Sequence, residues 1–164
     1  VSVTASGTGT TKTITIGGGG SKHIEAGFIA FNKNDTRTLS FDRQTSLGAA
    51  ASDNVKSWMF APFTGTITRL TIFNKGTTSF ATHDNATINI YVNANNFNSA
   101  DYTLTFSCNE FTQVNPTSPT VFKYSVTPNI AVASGDVIQV QLTSPAAGTS
   151  SGSSAIVQVE ITES

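Results

Sequence analysis

The chain has 164 residues, nine Lys and Arg against ten Asp and Glu, and a formal net charge of −1. That length supports one domain with a sizeable core. So few cations make a poor partner for a phosphate backbone, and no apolar run reaches the ~18 residues that a membrane-spanning helix needs.

Thr, Ser, Asn and Gly fill 71 positions, so the polar surface is built from hydroxyls and amides rather than ions. The opening Val1-Ser-Val lacks the charged and apolar regions of a secretion leader. Val1 to Ile16 is a Thr/Ser/Gly stretch that ends in Thr11-Lys-Thr-Ile-Thr-Ile16. Its alternation predicts one short strand, with Ile14 and Ile16 on one face and Thr13 on the other. Gly17, Gly18, Gly19 and Gly20 then give a stretch with free φ and nothing to pack, which reads as a hinge. Gly17 to Lys22 lacks the spacing of a phosphate-binding loop. Residues 1–20 are therefore read as an attachment or strand-exchange arm with its hinge, and 21–164 as the body.

Strand signals recur through the body. His23 to Phe31 is apolar-rich, Thr36 to Phe41 turns on Leu39 and Phe41, and Trp58 to Phe60 leads into Pro62. Thr66 to Phe73 carries Ile67, Leu70, Ile72 and Phe73. Ala86 to Asn93 alternates Ile88, Ile90 and Val92 against Thr87, Asn89 and Tyr91. Tyr102, Leu104 and Phe106 share a face, and Val121 to Val126 follows. In Val137 to Leu142 and Ala155 to Thr162, Ile138, Val140, Leu142, Val157, Val159 and Ile161 face one way. Gln139, Gln141, Gln158 and Glu160 face the other. Short alternating segments split by Asn, Gly, Ser and Pro predict an all-β antiparallel sandwich, with no sustained helical period. The loops Asn93–Asp101, Asn109–Thr120 and Pro145–Ser154 are polar and suit surface recognition.

Covalent chemistry has little to work with. His23 and His83 are the two histidines, His83-Asp84 lies in a polar loop, and the single Cys108 reads as a half-buried strand residue. No nucleophile elbow, zinc spacing, calcium loop or assignable carboxylate dyad is present. No catalytic residue, metal or cofactor is expected. Asn34 and Asn85 begin glycosylation sequons, which matter only in a host that secretes through an endoplasmic reticulum. The expected recognition residues are Asn95, Asn96, Phe97, Asn98, Asp101, Asn109, Phe111 and Thr112. Exposed aromatics there would stack on sugar rings, although most such residues pack a loop onto its sheet.

Two segments carry a resemblance. One is Trp58-Met-Phe-Ala-Pro-Phe-Thr-Gly-Thr-Ile-Thr-Arg-Leu-Thr-Ile-Phe73, an aromatic-Ala-Pro-x-x-Gly-x-Ile turn between strands. The other is Val132-Ala-Ser-Gly-Asp-Val-Ile-Gln-Val-Gln-Leu142, a Ser-Gly-Asp turn that launches an alternating strand. Over about residues 36–162 they resemble the C1q/TNF-like jelly-roll domain, in the style found in structural proteins of tailed bacteriophages, especially marine ones. The strands are poorer in Tyr than the eukaryotic pattern.

The resemblance implies a jelly roll of about 8–10 strands and a homotrimer on a virion surface. The chain would be a capsid decoration, head fibre or tail-fibre tip bound to capsid or tail proteins of the same particle. Contact with a host-surface glycan is a further implied role. No nucleic acid and no membrane insertion are expected. The alternative is a carbohydrate-binding adhesin or lectin-like module that is extracellular or on a cell or spore surface.

Overall fold

The computed structural model describes residues 2–6, 13–17, 20–31, 35–41, 47–48, 55–75, 85–93, 97, 99–107, 110–115, 121–143 and 153–164. An N-terminal hairpin pairs β1 (Ser2–Ser6) with β2 (Thr13–Gly17) in a sheet of its own. The arm is thus a hairpin rather than the single strand its C-terminal half predicts. The Ser2–Ser6 half alternates Val3 and Ala5 with Ser2, Thr4 and Ser6, a pattern too short and too weakly apolar to mark a strand by itself, and register sets Val3 opposite Ile16 and Ala5 opposite Ile14.

The body opens with β3 (Lys22–Phe31), β4 (Thr36–Thr38), β5 (Leu47–Gly48), a 3-10 turn at Val55–Ser57 and β6 (Met59–Phe60). It continues with β7 (Gly65–Lys75), β8 (Asn85–Val92), β9 (Tyr102–Ser107) and β10 (Thr112–Asn115). The last strands are β11 (Val121–Val126), β12 (Ile130–Val132), β13 (Val137–Thr143) and β14 (Ser153–Glu163). Among the described residues there is no α-helix, and every strand pair is antiparallel.

One sheet runs β10-β11-β7-β14-β3 and the other β5-β4-β13-β8-β9. β12 continues the lane of β11 along β7, and β6 continues the lane of β4 along β13. Setting aside the short edge strands β5 and β10, the lanes in chain order give 1-8-3-6 facing 2-7-4-5. That is a jelly-roll sandwich, so the predicted fold holds. β10 lies inside the segment expected to be the loop Asn109–Thr120, and β14 begins within the expected loop Pro145–Ser154.

Alternation decides which residues meet between the sheets. Ile88, Ile90, Ile138, Val140, Val157, Val159 and Ile161 are fully buried, Leu142 is nearly so, and Val92 packs at their margin. On β7 the period slips once. Glu160 pairs with Arg69 but Ile161 pairs with Ile67, so Thr68 is an extra residue. This bulge keeps both Ile67 and Leu70 inward, which strict alternation over three residues would forbid. The sheets also join at one edge, where Phe28 N–H donates to Ser40 O at 2.7 Å and Ser40 N–H to Phe28 O at 2.9 Å. On the opposite side Phe106, Phe111 and Tyr124 close the gap with ring centroids 4.9 to 5.9 Å apart.

Some residues on the outward phase are nonetheless covered. Gln139 is 2% exposed and donates to Oγ of Ser57, in the 3-10 turn, at 2.8 Å. The Tyr91 hydroxyl donates to Gln141 Oε1 at 3.4 Å, and the Tyr91 ring meets Phe97 edge-on at 4.9 Å. Burial pushes the Tyr91 phenol up from its ordinary value, against a smaller opposing pull from Asn89.

The two turn motifs meet in space. Ala61 N–H donates to Asp136 O at 2.9 Å, and Gly135 N–H donates to Ala61 O at 2.8 Å. Gly135 has φ +89°, a conformation that glycine adopts without strain. Asp136 accepts from Asn93 Nδ2 through one carboxylate oxygen and from Ala133 N–H through the other, each at 2.7 Å. Asn93 Oδ1 in turn accepts from Val137 N–H at 2.8 Å. Those bonds hold the Asp136 carboxyl below its ordinary value, with Asn93 the larger influence.

Asp136→Ala should therefore lower stability by about 1 kcal/mol or less, because the site faces solvent. A carboxyl with a depressed folded value contributes stability above the unfolded value, and loses it as pH falls through the folded one. The gap between parent and variant in urea unfolding should narrow as pH falls below about 4. A gap that stays constant down to pH 2 would assign the effect to lost packing.

Candidate functional site

Of the loop residues singled out by sequence, Asn95, Asn96, Asn98 and Asn109 lie outside the described residues, as do His83 and Cys108. The others have structural partners. Phe97, at φ 52°, lays its ring against Tyr91. Asp101 Oδ2 accepts from Val92 N–H at 2.7 Å and ties its loop to the end of β8. Phe111 stacks on Tyr124 with centroids 5.4 Å apart and belongs to the plug between the sheets. Thr112 is exposed, and its hydroxyl donates to Lys123 O at 3.3 Å. Both aromatics therefore pack loops onto sheets rather than stand free as stacking platforms.

In the arm, Thr13, Ile14, Ile16 and Gly17 belong to β2, while Gly18 and Gly19 lie outside the described residues. Gly20 is not a free hinge point. A Cβ there would sit 2.4 Å from Glu163 O, so only glycine permits this approach to the end of β14. Ser21 N–H donates to Glu163 Oε2 at 3.0 Å and Glu163 N–H donates to Ser21 O at 2.8 Å. Hydrogen bonding from the Ser21 side chain, and then from its backbone N–H, holds the Glu163 carboxyl below its ordinary value.

His23 Nε2 lies 3.5 Å from Glu25 Oε2, both half-exposed on the edge strand β3. Among the described residues no group of three His, Cys, Asp or Glu side chains could hold a metal ion.

The chemistry-bearing surface that the sequence reading missed is the outer face of the β3–β14–β7–β11 sheet. Register aligns Phe28, Ile156, Phe73 and Lys123 in one row across four strands. The next row is Ala26, Gln158, Thr71 and Ser125, and the third is Ile24, Glu160 and Arg69. Ile24 is 55% exposed and Ile156 49%. A shallow hollow of about 120 Å³ lies over Thr71 between Phe73, Arg69, Lys123 and Gln158. At its floor Glu160, 9% exposed, accepts from Lys22 Nζ at 3.1 Å and from the Thr68 hydroxyl at 3.2 Å. The Lys22 hydrogen bond, helped by Thr68 and Arg69, holds the Glu160 carboxyl below its ordinary value despite burial. The sequence did carry a signal for this face. Phe28-Ile29, Ile72-Phe73 and Ile156-Val157 are adjacent apolar pairs, and a strand must show one of each to the outside.

No family model matches the chain, and no curated protein matches it in sequence. Among solved structures it is similar to a family 35 carbohydrate-binding module from Clostridium thermocellum, at 14% identity and TM-score 0.39, over 85% of this chain and 97% of that one. It is similar to the cyanophage Pam1 capsid asymmetric unit at 14% identity and TM-score 0.37, over 92% and 90%. It is also similar to the Bacillus endospore appendages, described as disulfide-linked pili, at 12% identity and TM-score 0.31, over 93% and 99%.

Proposed function

We propose that this chain is a non-enzymatic structural protein of a virion surface, a capsid decoration, head fibre or tail-fibre tip. It assembles as a homotrimer through the outer face of the β3–β14–β7–β11 sheet. The observation that supports this most is the row Phe28–Ile156–Phe73. Apolar residues that register in one line across three paired strands form a patch, whereas scattered surface apolars need no explanation. The charges that flank it, Lys22, Arg69 and Lys123 against Glu160, give a neighbouring copy both signs to meet. A three-fold arrangement closes a head-to-tail interface into a ring, which suits a tip or decoration. The turn motifs, the jelly-roll lane order and the hydroxyl-rich neutral surface agree with this reading.

Sedimentation at micromolar concentration should give a species of three times the 17.2 kDa chain mass. Immunogold electron microscopy of the source particle should place the protein on the capsid or tail. A chain that stays monomeric and is absent from purified particles would end the proposal. Glycan binding by that monomer would favour the adhesin alternative.

A further inference from the structure

The edge of a sheet presents unpaired N–H and C=O groups, and folds guard it with charge, proline, bulges or brevity. At the β3 edge, Phe28 and Ser40 exchange both backbone bonds, and the strand also carries Lys22, His23 and Glu25. The β10 edge is four residues long, with its register broken between Gln113 and Asn115. The β5 edge has two residues. The β9 edge differs from all of these. Its segment Tyr102-Thr-Leu-Thr-Phe-Ser107 has no charge, proline or glycine. It is flat by register, running unbroken against β8 from Ile90↔Tyr102 to Asn85↔Ser107. No described strand pairs with its other side. At its far end the Glu110 carboxylate accepts the Ser107 N–H at 3.2 Å, and Thr103 and Thr105 are exposed. The strand is uncharged, β-prone and open to addition.

The same chain carries a segment that lacks a partner of its own. β1 and β2 pair with each other over five residues, and among the described residues neither makes extended contact with another element. A two-stranded hairpin alone is marginal in water. Residues 1–17 contain one charged side chain, Lys12, so the arm matches the uncharged edge in character. The tether is short. Gly20 is fixed against Glu163, and the three steps from Gly17 span at most about 10 Å.

We infer that the N-terminal hairpin of one copy adds to the β9 edge of a neighbouring copy and extends that sheet outward. This rests on the particle reading, because assembly must bring copies side by side. The added strand would bond through main-chain groups along Tyr102–Phe106, short of Ser107, whose N–H Glu110 already holds, as in other strand additions. The short tether requires the accepting β9 to lie beside the donor's Gly20–Glu163 end.

Amide hydrogen exchange, read by mass spectrometry on the assembled full-length chain, tests this directly. The β9 amides should exchange at least about tenfold faster in a Thr4→Pro/Thr15→Pro variant, where the hairpin cannot pair, while those of β14 stay unchanged. A second variant, Thr103→Lys/Thr105→Lys, puts charge on the strand and should lose the same protection, whereas Thr103→Val/Thr105→Val, which gives up the same hydroxyl bonds to Asn89 and Thr87 without adding charge, should keep it. Equal β9 exchange in parent and proline variant overturns the inference. If sedimentation still gives the trimer in that case, the particle reading survives without it. A parent that is monomeric with β9 unprotected overturns both.

Discussion

Gly27→Ala is expected to cost about 1–3 kcal/mol of folding stability, and distinctly less in a Leu39→Ala background. Gly27 lies on the inward side of β3, in register with the fully buried Val157. A Cβ there would sit 2.6 Å from Leu39 Cγ and 2.9 Å from Ser40 O. Neither neighbour can yield. Leu39 is fully buried, and its N–H donates to Val140 O at 2.8 Å, which fixes its backbone to the second sheet. Ser40 makes the paired bonds to Phe28 that join the sheets along this edge. The missing side chain is therefore what lets β3 approach the β4 lane closely enough to close the sandwich there. Leu39→Ala alone should cost about 2–5 kcal/mol through the cavity it leaves. In the double variant the new methyl group enters that cavity, so the two losses should sum to more than the measured total. Urea unfolding of the four chains gives the coupling, and strict additivity would refute the contact.

Much of this architecture is legible in the sequence because period two is a strong signal wherever one face is buried. The strands around Ile88, Val140 and Val159 were readable for that reason. So was the pairing of two turn motifs with a jelly roll, although the meeting of Ala61 with Asp136 is a tertiary fact that no local pattern contains. The short strands β5, β10 and β12 escaped because two to four residues cannot show a period. The Thr68 bulge escaped because an extra residue looks like a broken alternation until its partner strand is known. Gln139 and Gln141 read as solvent-facing, yet the Ser57 turn and Tyr91 cover them, and coverage of an outer face depends on remote chain.

The candidate site was less legible than the fold. Aromatic residues in polar loops invite a recognition reading, because loops commonly carry it. Phe97 and Phe111 instead spend their rings on Tyr91 and Tyr124, so truncating either should be read first as a loss of packing. The exposed apolar surface sits on strands, where residues far apart in sequence become one row only through register. The half-buried Phe28 and Phe73 flank the exposed Ile156 in such a row.

Ile156→Glu is accordingly expected to leave the chain folded and to raise the concentration for half-assembly by at least about a hundredfold. Ile156 is 49% exposed in the single chain, so the new carboxylate would reach water and cost little there beyond the weaker strand preference of Glu. In the assembled form the same position would be covered. Only the exposed half of Ile156 is left to bury, so each copy then loses roughly 0.7–1.5 kcal/mol of apolar burial and must also desolvate a carboxylate. In a three-fold ring that change occurs at every interface, so the losses compound. Phe60→Glu is the matched control. Phe60 is 56% exposed, lies on the other sheet, and meets Trp58 edge-on at 6.2 Å. It should change assembly little if the β3–β14–β7–β11 face is the one that closes the trimer. Sedimentation velocity across a dilution series distinguishes the outcomes. Loss of assembly in Phe60→Glu with full assembly in Ile156→Glu would move the interface to the opposite sheet.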